Sequence, residues 1–505
     1  MGSPMLLLQI WWLLCAPANA VAPIKPALTP SQLAAVNRVS ANSLRGRLSF
    51  LASDLLEGRG TPSRGLDIAA EYIASEFRRA GLEPGGDDDY FQTAEMVRSQ
   101  PGTKDFKLTV RDGSGEIALG PGDAGVSVFE KLDLTNTTIY KIDLTDKDAA
   151  KKVKADEVRD KVLILQSPRG DLPGAQGIFG VLTRSKPALV IMLGDDFDPS
   201  PSRLKSPGDA AEKMPAIFSV PRIALSDPRV EKFFAGLPVG LTSATASVHV
   251  SAPEEVPVKL HNVVGILRGS DPKLRDTCVL VTAHYDHLGM KPNGSGDRIY
   301  NGANDDGSGT VSVMELADAL AAARVHPRRS IVFVTFFGEE KGELGSHYFG
   351  KHPVFPIAKN VADINLEQVG RTDSTEGAQI ANASITGFTF STVTDTLVRA
   401  GLLTGVKIYR HPKNSDAYFA RSDNQSMADQ GVPAHTLCVA FDYPDYHGLG
   451  DEWPKVDYDN MAKVDRAVAV ALLMIANDPA EPKWNAKEPK AAKYLKAWNE
   501  LHPAK

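Results

Sequence analysis

The sequence predicts an α/β protein: a mainly parallel central sheet with helices on both faces, plus a smaller inserted α/β domain. From about residue 256 onward, apolar runs alternate with helical patterns, as βαβ units require. The segment 130–252 has its own short aliphatic runs between Gly-spaced stretches, yet no histidine before His249 and no compact polar cluster. The chain has 505 residues, 23 % charged and 43 % apolar, which is ordinary globular composition. At roughly 150 residues per domain, that length accommodates two to four domains.

The elements follow in chain order. Met5 to Leu14 is apolar except for Gln9, and Ala18-Asn19-Ala20 is a small-x-small pattern. This run falls well below the ~20 residues of a spanning helix. Residues 1–20 therefore read as a signal peptide, although no Lys or Arg precedes the apolar run, and the chain reads as exported to a periplasm or the exterior. An N-terminal helix docked on the body is the alternative. Loss of residues 1–20 removes Cys15 and no charged side chain, leaving Cys278 and Cys438 and a net charge of −6. Each of these cysteines lies in an apolar, strand-like run, so two buried free thiols are expected rather than a disulfide. No other stretch could span a membrane.

Residues 24–129 form the N-terminal part of the main domain. After the linker prolines Pro23, Pro26 and Pro30, helices are expected over Leu44–Leu56 and Leu66–Ala80. The second has Ala70, Ile73, Ala74 and Phe77 on one face and Gly81 at its C-cap position. In the insert, 130–252, strands are expected at Val162–Leu165, Ala188–Leu193, Pro215–Val220 and Val248–Val250. The section 253–480 holds strand candidates Val279–Thr282, Ile331–Phe336, Val361–Ile364 and Thr436–Phe441, and a helix over Thr310–Ala322. Residues 481–505, rich in Lys and Pro, read as an ordered-to-frayed surface tail. With 56 Lys and Arg against 62 Asp and Glu there is no clustered basic excess, which argues against a nucleic-acid partner.

Reactive residue types sit just past the carboxyl ends of the four main strands, where open α/β sheets bind ligands. The first strand runs into His284-Tyr285-Asp286, and the next loop holds Asn304-Asp305-Asp306-Gly307-Ser308-Gly309. The second ends in Gly338-Glu339-Glu340, the third in Asn365-Leu366-Glu367, and the fourth leads to Asp445-Tyr446-His447. Glu339-Glu340 directly follows an apolar run and a glycine, an odd place for solvated charge. Zinc takes His nitrogen and carboxylate oxygen, and a catalytic site leaves a position for water. Two zincs about 3.5–4 Å apart need a bridging carboxylate, one His and one carboxylate each, and a separate general base. The inventory fits: His284, Asp305, Glu340, Glu367 and His447 as metal ligands, with Glu339 left over as base.

The runs Ala283-His284-Tyr285-Asp286-His287, Gly302-Ala303-Asn304-Asp305-Asp306-Gly307-Ser308-Gly309, Glu339-Glu340 before Gly345-Ser346, and Tyr446-His447 resemble the co-catalytic zinc aminopeptidases. That family includes bacterial secreted leucyl-type enzymes and shares its zinc exopeptidase fold with glutamate carboxypeptidase and the transferrin receptor. The resemblance covers roughly 40–100 and 255–480, and the insert resembles a protease-associated domain. It implies two Zn2+ ions, with Asp305 bridging, His284 and Glu367 completing one site, and Glu340 and His447 the other. It further implies Glu339 as general base and Asp286 as the group orienting His284, with Ser422 and Asp423 close by. Glu367 is one methylene longer than the Asp usual there. Gly448-Leu449 replaces the familiar Thr-Pro after His447, while Asp451 keeps its spacing.

The function expected is a secreted di-zinc aminopeptidase acting on peptides with a free N-terminus, a metal-bridging water attacking with Glu339 as base. A carboxypeptidase or dipeptidase on the same fold is the nearest rival, ahead of a glutaminyl-cyclase-like transferase or a non-catalytic binding protein. His287, His347, His411 and His435 fit no ligand position and read as structural or surface residues, and Arg371 as an ion-pair residue.

Overall fold

The structure, a computed structural model, describes residues 29–166, 177–193, 201–206, 220–292, 294–322 and 326–503. The 1–20 segment, Cys15 and most of the expected strand Pro215–Val220 lie outside the described residues.

Four of the expected strands are fully buried: Cys278–His284, Ser330–Phe336, Asn360–Leu366 and Ala434–Cys438. Continuous aliphatic runs of this kind belong to parallel strands covered on both faces. Cys278–His284 pairs in parallel with Ser330–Phe336 on one side and Asn360–Leu366 on the other. Asn360–Leu366 pairs in parallel with Ala434–Cys438, which starts two residues before its expected position. The flanking strands Asn382–Ile385 and Gly240–Leu267 run antiparallel to this central group.

Side chains alternate along these strands, so one sheet feeds two cores. Val279, Val281, Ile331 and Phe333 pack with helices Arg64–Ala80, Gly309–Ala322 and Tyr458–Asn477. Leu280, Val332, Val334 and Phe336 face the other way, toward Phe349, Met427 and Tyr494. Helix Arg64–Ala80 begins where the Ser63 side chain accepts from the Leu66 amide. It ends at Gly81 with φ +77°, the left-handed cap that glycine adopts without strain.

Three expectations are corrected. The first helix spans Ala41–Leu51 and gives way to a turn over Asp54–Arg59. There Gly58 (φ +68°) passes so close to Gly289 that a Cβ would lie 2.3 Å from its carbonyl oxygen. The expected strand Val248–Val250 is a short part of the 28-residue strand Gly240–Leu267, which pairs with Leu132–Asp143, Phe91–Asp112 and Ser330–Phe336. Register shifts between His249 and Glu254 mark where Pro253 interrupts the alternation. The C-terminal section is packed rather than frayed: helix Ala492–Leu501 sets Tyr494 against Trp484, ring centroids 5.0 Å apart.

The segment 130–252 contributes Val162, Ile164, Leu189, Ile191, Ile223 and Leu225 to a separate apolar cluster, which Phe106 and Leu108 from before residue 130 join. Its strands Leu132–Asp143, Val162–Gln166, Leu189–Leu193 and Arg222–Leu225 are parallel and continue the same sheet through Gly240–Leu267. Cys278 and Cys438 are buried and unpaired, as expected. Among the described residues no helix is long and apolar enough to cross a membrane.

Candidate metal centre

His284 is the last residue of its strand and is 1 % exposed. Its carbonyl accepts from Thr310 Oγ1 at 2.7 Å, tying the strand end to helix Gly309–Ala322. Nε2 lies 3.5 Å from Asp305 Oδ1 and 4.0 Å from Glu339 Oε2, and Nδ1 lies 3.5 Å from Asp286 Oδ1. Asp286 is itself fixed, accepting from Thr61 Oγ1 at 2.9 Å and from the Glu339 amide at 3.0 Å. One buried carboxylate thus locks the turn that bears Glu339 to the strand that carries His284.

Asp305 sits in the turn before helix Gly309–Ala322, and its amide donates to Asp451 Oδ2 at 3.0 Å. The Asn304 amide donates to the same carboxylate, which also accepts from the Tyr443 hydroxyl at 3.0 Å. His447 arrives from the far loop and places Nε2 3.0 Å from Asp305 Oδ2 and 3.4 Å from Glu340 Oε1. The Tyr446 ring stacks on the His447 ring with centroids 4.0 Å apart. The five expected ligands and Glu339 therefore converge from loops far apart in sequence.

Two donor groups emerge, each with its ligand atoms within 4.8 Å of one another: His284, Asp305 and Glu367, and His287, Asp305 and Glu340. Asp305 belongs to both. His447 reaches two members of the second group, as its distances show. His284 Nε2, Glu340 Oε1 and both ring nitrogens of His287 are buried and make no hydrogen bond. Buried polar atoms left in that condition are costly unless something takes their lone pairs. A pair of N- and O-coordinated cations sharing Asp305 fits this donor set.

Electrostatics follow from the crowding. Burial pushes the Glu339 carboxyl well above its ordinary value; His284 opposes this, and Glu367 and Glu340 add to it. A raised value suits a group that must take and then give up a proton. Burial likewise lifts Glu367 to about 7 against the pull of His284. In Asp305 burial also acts upward, but the imidazoles of His284 and His447 outweigh it and hold the carboxyl below the ordinary range.

A cavity opens beside Glu367, lined among others by Tyr418, Arg421, Ser422, Cys438 and Tyr446. Ser422 accepts from Asn365 Nδ2 at 2.8 Å, and Asp423 is fully buried. The Arg421 guanidinium lies over the Tyr418 ring, 4.5 Å from its centroid. Arg371, as expected, forms ion pairs, with Asp373 and Asp445. His435 is buried between Ser391 and the Thr386 carbonyl, away from the centre.

Two neighbours were invisible in the sequence. Arg59, fully buried, donates to the carbonyls of Leu51, Tyr285, Asn301 and Gly302, bracing the segments beside His284 and Asp305. Its acceptors are backbone atoms, so no side-chain pattern marks them. His287, expected to be structural, faces Glu340; only its place three residues after His284 could have marked it.

Residues 262–472 match peptidase family M28. An aminopeptidase of Bacillus subtilis is 36 % identical over 110 residues, 22 % of this chain and 22 % of that protein. A probable zinc metalloprotease of Pyrenophora teres is 35 % identical over 122 residues, 24 % of this chain and 25 % of that one. The matched stretch thus spans about a quarter of the length of these curated relatives. Among solved structures, an aminopeptidase from Aneurinibacillus superposes with a TM-score of 0.56 at 18 % identity, covering 89 % of this chain and 97 % of its own. A zinc aminopeptidase from Bacillus subtilis gives 0.55 at 18 % identity, covering 91 % and 98 %. At such identity the two structures establish the fold.

Proposed function

We propose that the protein is an exported di-zinc aminopeptidase, a reading that starts from the match of residues 262–472 to peptidase family M28. The observation that carries the reading is the shared carboxylate: Asp305 belongs to two donor groups, and Glu339 stands beside them without joining either. In this reading His284, Asp305 and Glu367 hold one zinc, and Asp305, Glu340 and His447 the other. Bound zinc supplies Lewis acidity and lowers the pKa of water.

The protein's own groups do the rest. Glu339 takes a proton from the attacking water and delivers it to the leaving amine. Asp286 keeps the His284 ring turned toward Asp305. The carboxylates Asp305, Glu339, Glu340 and Glu367 make a wall that favours the cationic α-amine of a peptide, while the cavity beside Glu367 accepts the first side chain. The insert, which contributes none of these groups, shapes access. Export rests on the pattern of residues 1–20.

One observation favours a second reading. Arg421 lines the cavity and has no carboxylate partner among the described residues, so it offers a cation for a substrate carboxylate, as a carboxypeptidase or dipeptidase would need. Hydrolysis of an amino-acyl anilide tests the leading reading. Turnover should vanish on chelation and return with zinc; turnover that survives full removal of metal would exclude it.

A further inference from the structure

His287 is the buried histidine that the two-zinc scheme leaves without work. It lies three residues beyond His284, and its ring is fully buried. Its amide donates to the Arg59 carbonyl at 3.2 Å, so the buried Arg59 holds this segment by its backbone. Gly302, with φ +56°, lies against the ring: a Cβ there would stand 2.4 Å from His287 Cγ. The His447 ring meets it edge-on, centroids 5.7 Å apart. The imidazole is therefore wedged in one place and cannot swing out to solvent.

From that place Nδ1 lies 2.9 Å from Glu340 Oε1. No aligned hydrogen bond joins the two: neither His287 nitrogen makes one, and Oε1, within ion-pair range of both imidazoles, makes none either. An N–H aimed at the carboxylate would have satisfied both atoms at this separation, so the off-axis approach calls for another explanation. Two lone-pair donors brought together without a shared proton are what a common cation requires. Asp305 completes the trio, all within 4.8 Å.

We propose that His287 is a direct ligand of the second metal, alongside Asp305, Glu340 and His447. The inference rests on the two-zinc reading and deepens it, because it makes the two positions unequal. The first has one imidazole, from His284. The second has two, from His287 and His447, and zinc bound there should be the harder to remove.

X-ray absorption of the zinc-loaded protein tests this without relying on activity, since imidazole rings give a countable signature. The proposal expects three imidazoles per two zincs, falling to two in His287→Gln, whose shorter amide keeps a polar group in the space. Zinc titration against a competing chelator should show the tighter position weakened by roughly 100-fold or more, the upper end of what loss of an outer partner costs. Two imidazoles per two zincs in the unaltered protein would overturn the proposal and leave the two-zinc reading standing. Fewer than two zincs per chain would overturn that underlying reading instead. The count in the unaltered protein decides even if the variant does not fold.

Discussion

Glu339 and Glu340 are adjacent in the chain yet face different partners: one approaches His284, the other His287 and His447. Exchanging each carboxylate for an amide separates their roles. Glu339→Gln should keep its zinc and lose about 10²–10⁴-fold in kcat, the usual worth of general acid–base catalysis. Glu340→Gln should instead lower zinc content. Metal analysis beside steady-state kinetics reads both, and a reversed pattern would exchange the assignments. At this scale the sequence was informative wherever chemistry dictates residue type. That His284, Asp305, Glu339, Glu340, Glu367 and His447 come together was legible, because strand ends in an open α/β sheet collect reactive groups. Arg59 was not, since its acceptors are carbonyls up to 243 positions away. His287 was not, because an imidazole has the same appearance in a sequence whether it fills space or faces a carboxylate.

Elements were legible where burial on both faces left an uninterrupted apolar run. Strand Ser330–Phe336 is such a case, and its alternation sets Phe333 against Phe77 of helix Arg64–Ala80, ring centroids 6.4 Å apart. Phe333→Ala should cost about 3–5 kcal/mol of stability in urea unfolding, from lost transfer and the cavity left behind. Leu402→Ala, at a side chain 76 % exposed, should change it by about 0.5 kcal/mol or less. Strand Gly240–Leu267 was illegible for the opposite reason: Pro253, Glu254, Glu255 and Pro257 break its pattern, and its long pairing with Phe91–Asp112 supplies the order instead. On the central strand Ala434–Cys438, burial holds the His435 ring down to about 4, with the hydrogen bond to Thr386 acting weakly upward. Its folded value lies below the unfolded one near 6.5, so the neutral ring is favoured in the fold. The stability it contributes is complete above about pH 6.5 and is lost as pH falls toward 4. Thermal melts of His435→Gln should therefore fall less steeply across that window than those of the unaltered protein. Parallel curves would remove His435 from the acid response.

At the scale of the whole molecule, the order of strands could not be read in advance, because hydrogen-bond partners across a sheet are chosen by packing rather than by local pattern. The outcome is one continuous sheet in which strand Gly240–Leu267 joins the strands of 130–252 to the central parallel group, while every residue proposed to hold metal lies outside 130–252. A centre of the kind proposed, rich in carboxylate and with Asp305 shared by both donor groups, should read the amino end of its substrate. The most direct measurement compares kcat/KM for an amino-acyl anilide with a free amine and for the same compound N-acetylated, on zinc-loaded protein. Acetylation removes the charge that the carboxylates attract and adds bulk, so kcat/KM should fall by about 100-fold, roughly 2.7 kcal/mol of transition-state stabilisation. Equal turnover of the two forms, or a strict requirement for a free carboxyl terminus, would contradict the aminopeptidase reading and favour the one in which Arg421 holds a substrate carboxylate.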